Sequence, residues 1–141
     1  MKKKIALCSA CLLGVKCRYD GGSKKNLKVV RLSKKYTLVP VCPEQLGGLP
    51  TPRKSAQIKG SRVLTKSGND VTKNFAIGAR ETLKIAKLFG IKEAIFKQKS
   101  PSCGCGQIFD GSFSGKIAKG DGITTRLLKK NGIKVVSEEE L

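Results

Sequence analysis

The stretch Asp70–Phe96, DVTKNFAIGARETLKIAKLFGIKEAIF, decides the fold class. Within it Phe75, Ala79, Leu83, Ala86 and Phe89 recur at helical spacing, so one apolar face runs along a helix from about Val71 to Phe89. Asp70 stands where an N-cap belongs, and Gly90 stands where helices commonly end in the left-handed region. Ala94-Ile95-Phe96 follows as a short apolar run, so the helix hands over to a strand.

The same alternation continues outward. Ile5–Ser9 opens the chain as an apolar run, and Tyr36–Val41 is a second one rich in β-branched residues. A helix is expected between Leu27 and Lys35, and another over Ile123–Lys130, entered through Asp121-Gly122 and closed by Gly132 before the run Ile133–Val136. Strands that alternate with helices predict a single α/β domain over residues 1–141. Its sheet is mainly parallel with helices on both faces, a Rossmann-like or flavodoxin-like layering. Two Gly-, Ser- or Pro-rich stretches, Pro43–Gly60 and Lys99–Gly122, interrupt the pattern, and connections that long are usually functional.

Composition narrows the classes of function. Lys plus Arg is 29 against 10 Asp plus Glu, a formal charge of +19 that attracts phosphate-bearing partners. No run approaches the roughly 18 apolar residues of a membrane span. The start, Met1-Lys2-Lys3-Lys4 followed by Ile5–Val15, has the basic and apolar parts of a secretory signal, and Cys11 suggests a lipoprotein site. Against export, Cys8 stands where a lipobox wants Leu, and cleavage would remove the first strand. The expectation is a cytoplasmic protein whose six cysteines are reactive or metal-binding thiols. There is no histidine, which excludes His general bases, His-containing triads and mixed Cys/His zinc sites.

Cys11 lies just beyond the first predicted strand, Cys42 just beyond the second and Cys103 a few residues beyond the third. In an open parallel sheet the carboxyl ends of the strands share one edge, where ligands bind, so the three thiols are expected to meet there. Soft thiolates select zinc or an iron–sulfur cluster. Cys8-x-x-Cys11 and Cys103-x-Cys105 superficially suggest zinc, but Cys8 falls inside the first strand rather than on a hairpin turn. Three thiolates on a cubane leave one iron open as a Lewis acid. Glu44, two residues after Cys42, is the carboxylate closest in sequence to any of the three and the candidate acid/base group.

Several motifs now line up in order: Ser9-Ala10-Cys11-Leu12-Leu13-Gly14, Arg18-Tyr19-Asp20-Gly21, Pro40-Val41-Cys42-Pro43-Glu44, Gly47-Gly48-Leu49-Pro50-Thr51-Pro52-Arg53, Ser100-Pro101-Ser102-Cys103-Gly104 and Gly111-Ser112-Phe113-Ser114-Gly115. Together they resemble the thiouracil desulfidase family, long labelled a domain of unknown function. The resemblance implies a 4Fe-4S cluster held by Cys11, Cys42 and Cys103, with Glu44 and Ser100 as catalytic residues. It also implies hydrolytic removal of sulfur from a thiolated pyrimidine. Arg18, Tyr19, Asp20, Arg53 and Ser102 are expected to border the substrate. Cys8, Cys17 and Cys105 depart from the family pattern, and a fourth thiolate from Cys17 or Cys105 would close the open iron and favour a sensor or electron carrier. The charge keeps thiolated tRNA open as an alternative substrate, and a cluster-bearing RNA-binding protein without turnover as another class. The residues set no oligomeric state.

Overall fold

The computed structural model describes residues 3–141; Met1 and Lys2, at the head of the basic start, lie outside the described residues. In chain order the elements are β1 (Lys4–Ser9), α1 (Leu27–Arg31), β2 (Tyr36–Val41), α2 (Pro43–Leu46), β3 (Ala56–Lys59), β4 (Arg62–Thr65), α3 (Thr72–Phe89), β5 (Glu93–Phe96), β6 (Gln107–Phe109), β7 (Ile117–Lys119), α4 (Ile123–Lys130) and β8 (Lys134–Ser137). Short 3-10 turns follow β1, α1 and β8. No helix among the described residues is long and apolar enough to cross a membrane.

Four strands form a parallel sheet in the order β2-β1-β5-β8. Side chains alternate across it as the pleat requires. Leu7, Ala94, Phe96 and Val135 face α3 and α4, where Ala86 and Leu128 close the larger core. Ala6, Cys8 and Ile95 face the other way, onto Leu12 and Val29 of the first turn and α1. The α/β layering expected from the alternation is therefore present, with helical cover on both faces. Pro40, which has no amide hydrogen, sits in the edge strand β2 opposite Cys8, a position where the sheet tolerates proline.

Two details differ from expectation. Val71, not Asp70, is the N-cap of α3; Asp70 instead accepts the Thr72 amide at 2.9 Å and closes the turn before the helix. The two stretches without a periodic pattern give rise to antiparallel hairpins: β3, at the end of Pro43–Gly60, pairs with β4 just beyond it, and β6–β7 lies within Lys99–Gly122. Ile58 and Val63 of the first and Ile108 of the second bury against Phe75 of α3, forming a third, smaller core. The hairpins thus rest on α3 and rise beside the carboxyl edge of the sheet.

Helix α2 is fixed by close backbone contact rather than by size. A Cβ on Gly78 of α3 would collide with the Pro43 carbonyl, and one on Gly47 would collide with the Asn74 carbonyl. The Asn74 amide locks the pair by donating to the Gly47 carbonyl at 2.9 Å. Gly78→Ala and Gly47→Ala are each expected to lower unfolding free energy by about 1–3 kcal/mol, read as a shift in the denaturant midpoint with unchanged slope.

Cys8 shows what burial alone does to a thiol. It is fully buried in β1 and its pKa is pushed up to about 12 by desolvation. Raised folded-state values stabilise the fold below the unfolded pKa of 9.0 and lose that contribution as pH climbs toward the folded value. Stability is therefore expected to fall with pH above that point. In Cys8→Ala the fall is shallower by up to about 1.4 kcal/mol per pH unit, measured by urea unfolding at stepped pH.

Candidate active site

The carboxyl ends of β1, β2 and β5 open on a single cavity of about 440 Å³, a size typical of small-molecule sites. Its lining includes Cys11, Cys17, Cys42 and Cys103 together with Glu44, Ser100, Arg18, Tyr19 and Arg53. The chain reverses direction across the sheet here: β2 lies on one side of β1 and β5 on the other. Such a reversal parts the two following loops and leaves a crevice.

Each cysteine is set by local structure. Cys11 sits in the 3-10 turn after β1, its carbonyl accepting the amides of Gly14 at 3.2 Å and Lys24 at 3.0 Å. Cys42 is the N-cap of α2, and its thiol donates to the Cys17 carbonyl at 3.7 Å. Cys103 closes the turn that begins at Ser100 and is buried. The Ser9 hydroxyl lies against its sulfur, and the oxygen of that hydroxyl accepts the Lys97 amide at 2.9 Å. Burial pushes the Cys103 pKa up to about 12, and the neighbouring Cys17 thiol, with burial, pushes that of Cys42 upward. Cys17 is itself raised, chiefly by the Cys11 thiol beside it.

Arg53 organises the acidic side of the cavity. Its Nε donates to Glu44 Oε1 at 3.0 Å, its Nη1 to the Pro50 carbonyl at 3.1 Å and Thr51 Oγ1 at 2.9 Å, and its Nη2 to the Cys17 carbonyl at 2.9 Å. Its backbone amide donates to the Tyr19 carbonyl at 2.7 Å. The side chain of Arg53 is 6% exposed and that of Glu44 17%, so the pair is largely shielded and held in one geometry.

Ser100 is arranged differently. Its Oγ accepts the amides of Ser102 at 3.1 Å and Cys103 at 3.0 Å. A hydroxyl that accepts twice keeps its one proton for another partner. The turn is backed by α4: the Ile123 amide donates to the Pro101 carbonyl at 2.8 Å and the Thr124 amide to the Ser102 carbonyl at 3.0 Å. The helix N-terminus entered through Asp121-Gly122 is thus directed at these carbonyls.

Two of the expected substrate-side residues stand outside the lining. Asp20 is solvent-exposed and pairs with Arg18 at 3.1 Å while accepting the Gly22 amide at 2.9 Å. Ser102 is buried beneath the turn, its hydroxyl bonded to Thr124 Oγ1 at 2.9 Å. The additional cysteines also separate. Cys17 lines the cavity, whereas Cys105 donates to the Val135 carbonyl at 3.3 Å inside the main core and Cys8 lies in β1. Sequence reasoning missed Gln57, Phe109, Lys66 and Lys97 in the lining. All four come from the hairpins or the end of β5, and the hairpins carry no periodic signal in the sequence.

Comparison with known proteins covers nearly the whole chain. The model of the family described as 2-thiouracil desulfurase matches residues 6–140. The uncharacterized protein YbbK of Bacillus subtilis (strain 168) is 43% identical over 145 residues, covering 96% of each chain. Among solved structures, the 4Fe-4S-dependent thiouracil desulfidase TudS superposes with a TM-score of 0.91 at 44% identity, covering 99% of this chain and 93% of that one. With a family match that spans nearly the whole chain and relatives this similar from end to end, the protein belongs to the 2-thiouracil desulfurase family.

Proposed function

We propose that this protein is a 4Fe-4S-dependent thiouracil desulfidase, converting a thiolated uracil, free or as its nucleotide, into uracil and sulfide. One observation carries the reading. Cys11, Cys42, Cys103, Glu44 and Ser100, drawn from three separate segments, line one cavity in a chain 44% identical to TudS.

The donor set fits a cluster. Thiolates are soft ligands suited to iron–sulfur chemistry, and the chain offers no imidazole to compete. Among the described residues, no three Cys, Asp or Glu side chains gather closely enough to hold a single metal ion. The four thiols instead border a cavity with room for a group of several atoms. Cys11, Cys42 and Cys103 would hold the cluster, which when bound supplies a Lewis-acidic iron to the substrate's sulfur.

The chain's own groups do the proton work. Glu44, fixed by Arg53, takes a proton from the water that attacks the carbon bearing sulfur. Ser100, whose oxygen already accepts two amides, gives its hydroxyl proton as the C–S bond breaks. Both protons of the water leave with the sulfur, the one held by Glu44 returning to Ser100 and the other lost from the new C–OH as it becomes the carbonyl. A C–O bond forms, the C–S bond breaks and hydrogen sulfide leaves with no change of oxidation state, so the reaction is hydrolytic. We place the protein in the cytoplasm, where its six free thiols stay reduced. A second reading, with 4-thiouridine in tRNA as substrate, is favoured by the +19 charge and by Lys24 and Lys66, which line the cavity without an ion-pair partner among the described residues. Steeply salt-dependent tRNA binding would select it.

Anaerobically reconstituted protein is expected to release sulfide from 2-thiouracil or 4-thiouracil; a chain that holds its cluster yet releases none would refute the activity. Cys11→Ser, Cys42→Ser and Cys103→Ser should each abolish the brown absorbance near about 400 nm, while Cys8→Ser and Cys17→Ser retain it. Full colour after loss of any one of the first three would overturn the ligand set. Glu44→Gln and Ser100→Ala should keep the colour and lower kcat by about 10²–10⁴-fold, measured by single-turnover sulfide release.

A further inference from the structure

Among the described residues, two that are not glycine adopt positive φ, Lys99 at 69° and Phe113 at 57°, and both line the cavity. Left-handed backbone is costly for a residue with a Cβ, and bulky side chains adopt it only where the surroundings impose it. Such strain concentrates at functional sites.

At Phe113 the agent that imposes it is identifiable. Gln57 Oε1, on β3, accepts the amides of Gly111 at 3.0 Å and Phe113 at 3.2 Å. The loop is pressed onto β3, since a Cβ on Gly111 would stand 2.7 Å from the Ile58 carbonyl oxygen. The base of the loop is closed by the Asp110 amide, which donates to the Lys116 carbonyl at 3.0 Å. One side chain from a separate hairpin therefore fixes a strained aromatic residue at the cavity.

Aromatic residues are scarce in this chain, two Tyr and five Phe, yet Tyr19, Phe109 and Phe113 line the same cavity. The Arg18 guanidinium already lies over the Tyr19 ring, 5.4 Å from its centroid. A pyrimidine is flat and presents a π-face, which aromatic side chains bind by stacking. We propose that Phe113 is the platform on which the pyrimidine ring of the substrate stacks, and that Gln57 is its positioning residue. The inference rests on the desulfidase reading and extends it by naming what grips the ring away from its sulfur.

The decisive variant is Phe113→Gly in the cluster-loaded protein, because glycine accepts the left-handed backbone and removes only the ring. KM for 2-thiouracil is expected to rise about tenfold or more with a smaller change in kcat. The dissociation constant for uracil, measured by equilibrium dialysis without turnover, should rise by a similar factor. Phe113→Tyr, which keeps an aromatic face, should bind uracil more tightly than Phe113→Gly. Gln57→Ala should also raise KM, and Gln57→Glu, whose carboxylate can accept the same two amides, should recover affinity relative to it. The proposal is overturned if Phe113→Gly binds uracil and 2-thiouracil within about twofold of the wild type. Loss of the desulfidase reading has a different signature: no sulfide from the wild-type holoprotein, with the uracil measurement still reporting on stacking.

Discussion

The site depends on one shielded guanidinium. Arg53 holds the Glu44 carboxylate, the Cys17 carbonyl and the Pro50–Thr51 turn at once, and its own amide engages Tyr19. Those partners come from the loop after β1, from α2 and from the segment that leads to β3. Without the cation, a largely shielded carboxylate would lose its charged partner, which is costly. Lysine is no substitute, because only a planar fork of donors serves partners in several directions. The geometry of the proposed proton acceptor and the path of the loop carrying Arg18 and Tyr19 are therefore one problem with one solution.

The opposite wall has its own support. The Ser100–Cys103 turn hangs between the Ser9 hydroxyl in front and the first turn of α4 behind. The Thr125 hydroxyl adds a bond to the Cys103 carbonyl at 3.0 Å. Helix amides that would otherwise be orphaned are satisfied by a loop that would otherwise be free, so each element completes the other. Both walls grow from the carboxyl end of the parallel sheet, and α2 is held at its distance by paired glycines.

Much of this was legible in the residues. Helix α3 announced itself through Phe75, Ala79 and Leu83, and the strands from Tyr36 and Ala94 through unbroken apolar runs between turn signals. The convergence of Cys11, Cys42 and Cys103 followed from their places after successive parallel strands. What stayed hidden depends on contacts distant in sequence. Strand β6 is three residues long, and neither it nor β3 forms a pattern without Phe75 to pack against. Gln57 reads as one polar residue among many until the loop 54 residues further on is laid across it. Asp70 had the right chemistry for a cap but the wrong backbone position by one residue, an offset that side chain preferences do not resolve.

The edge strand carries a last consequence. A sheet that ends in β2 exposes a ladder to any other extended chain, and a strongly cationic molecule crowded onto polyanions would bring many such edges together. Pro40 withholds a hydrogen from that border, and proline on an edge strand blunts strand addition. The β2 border is thus a poor template for a strand from another copy, whatever brings the copies together.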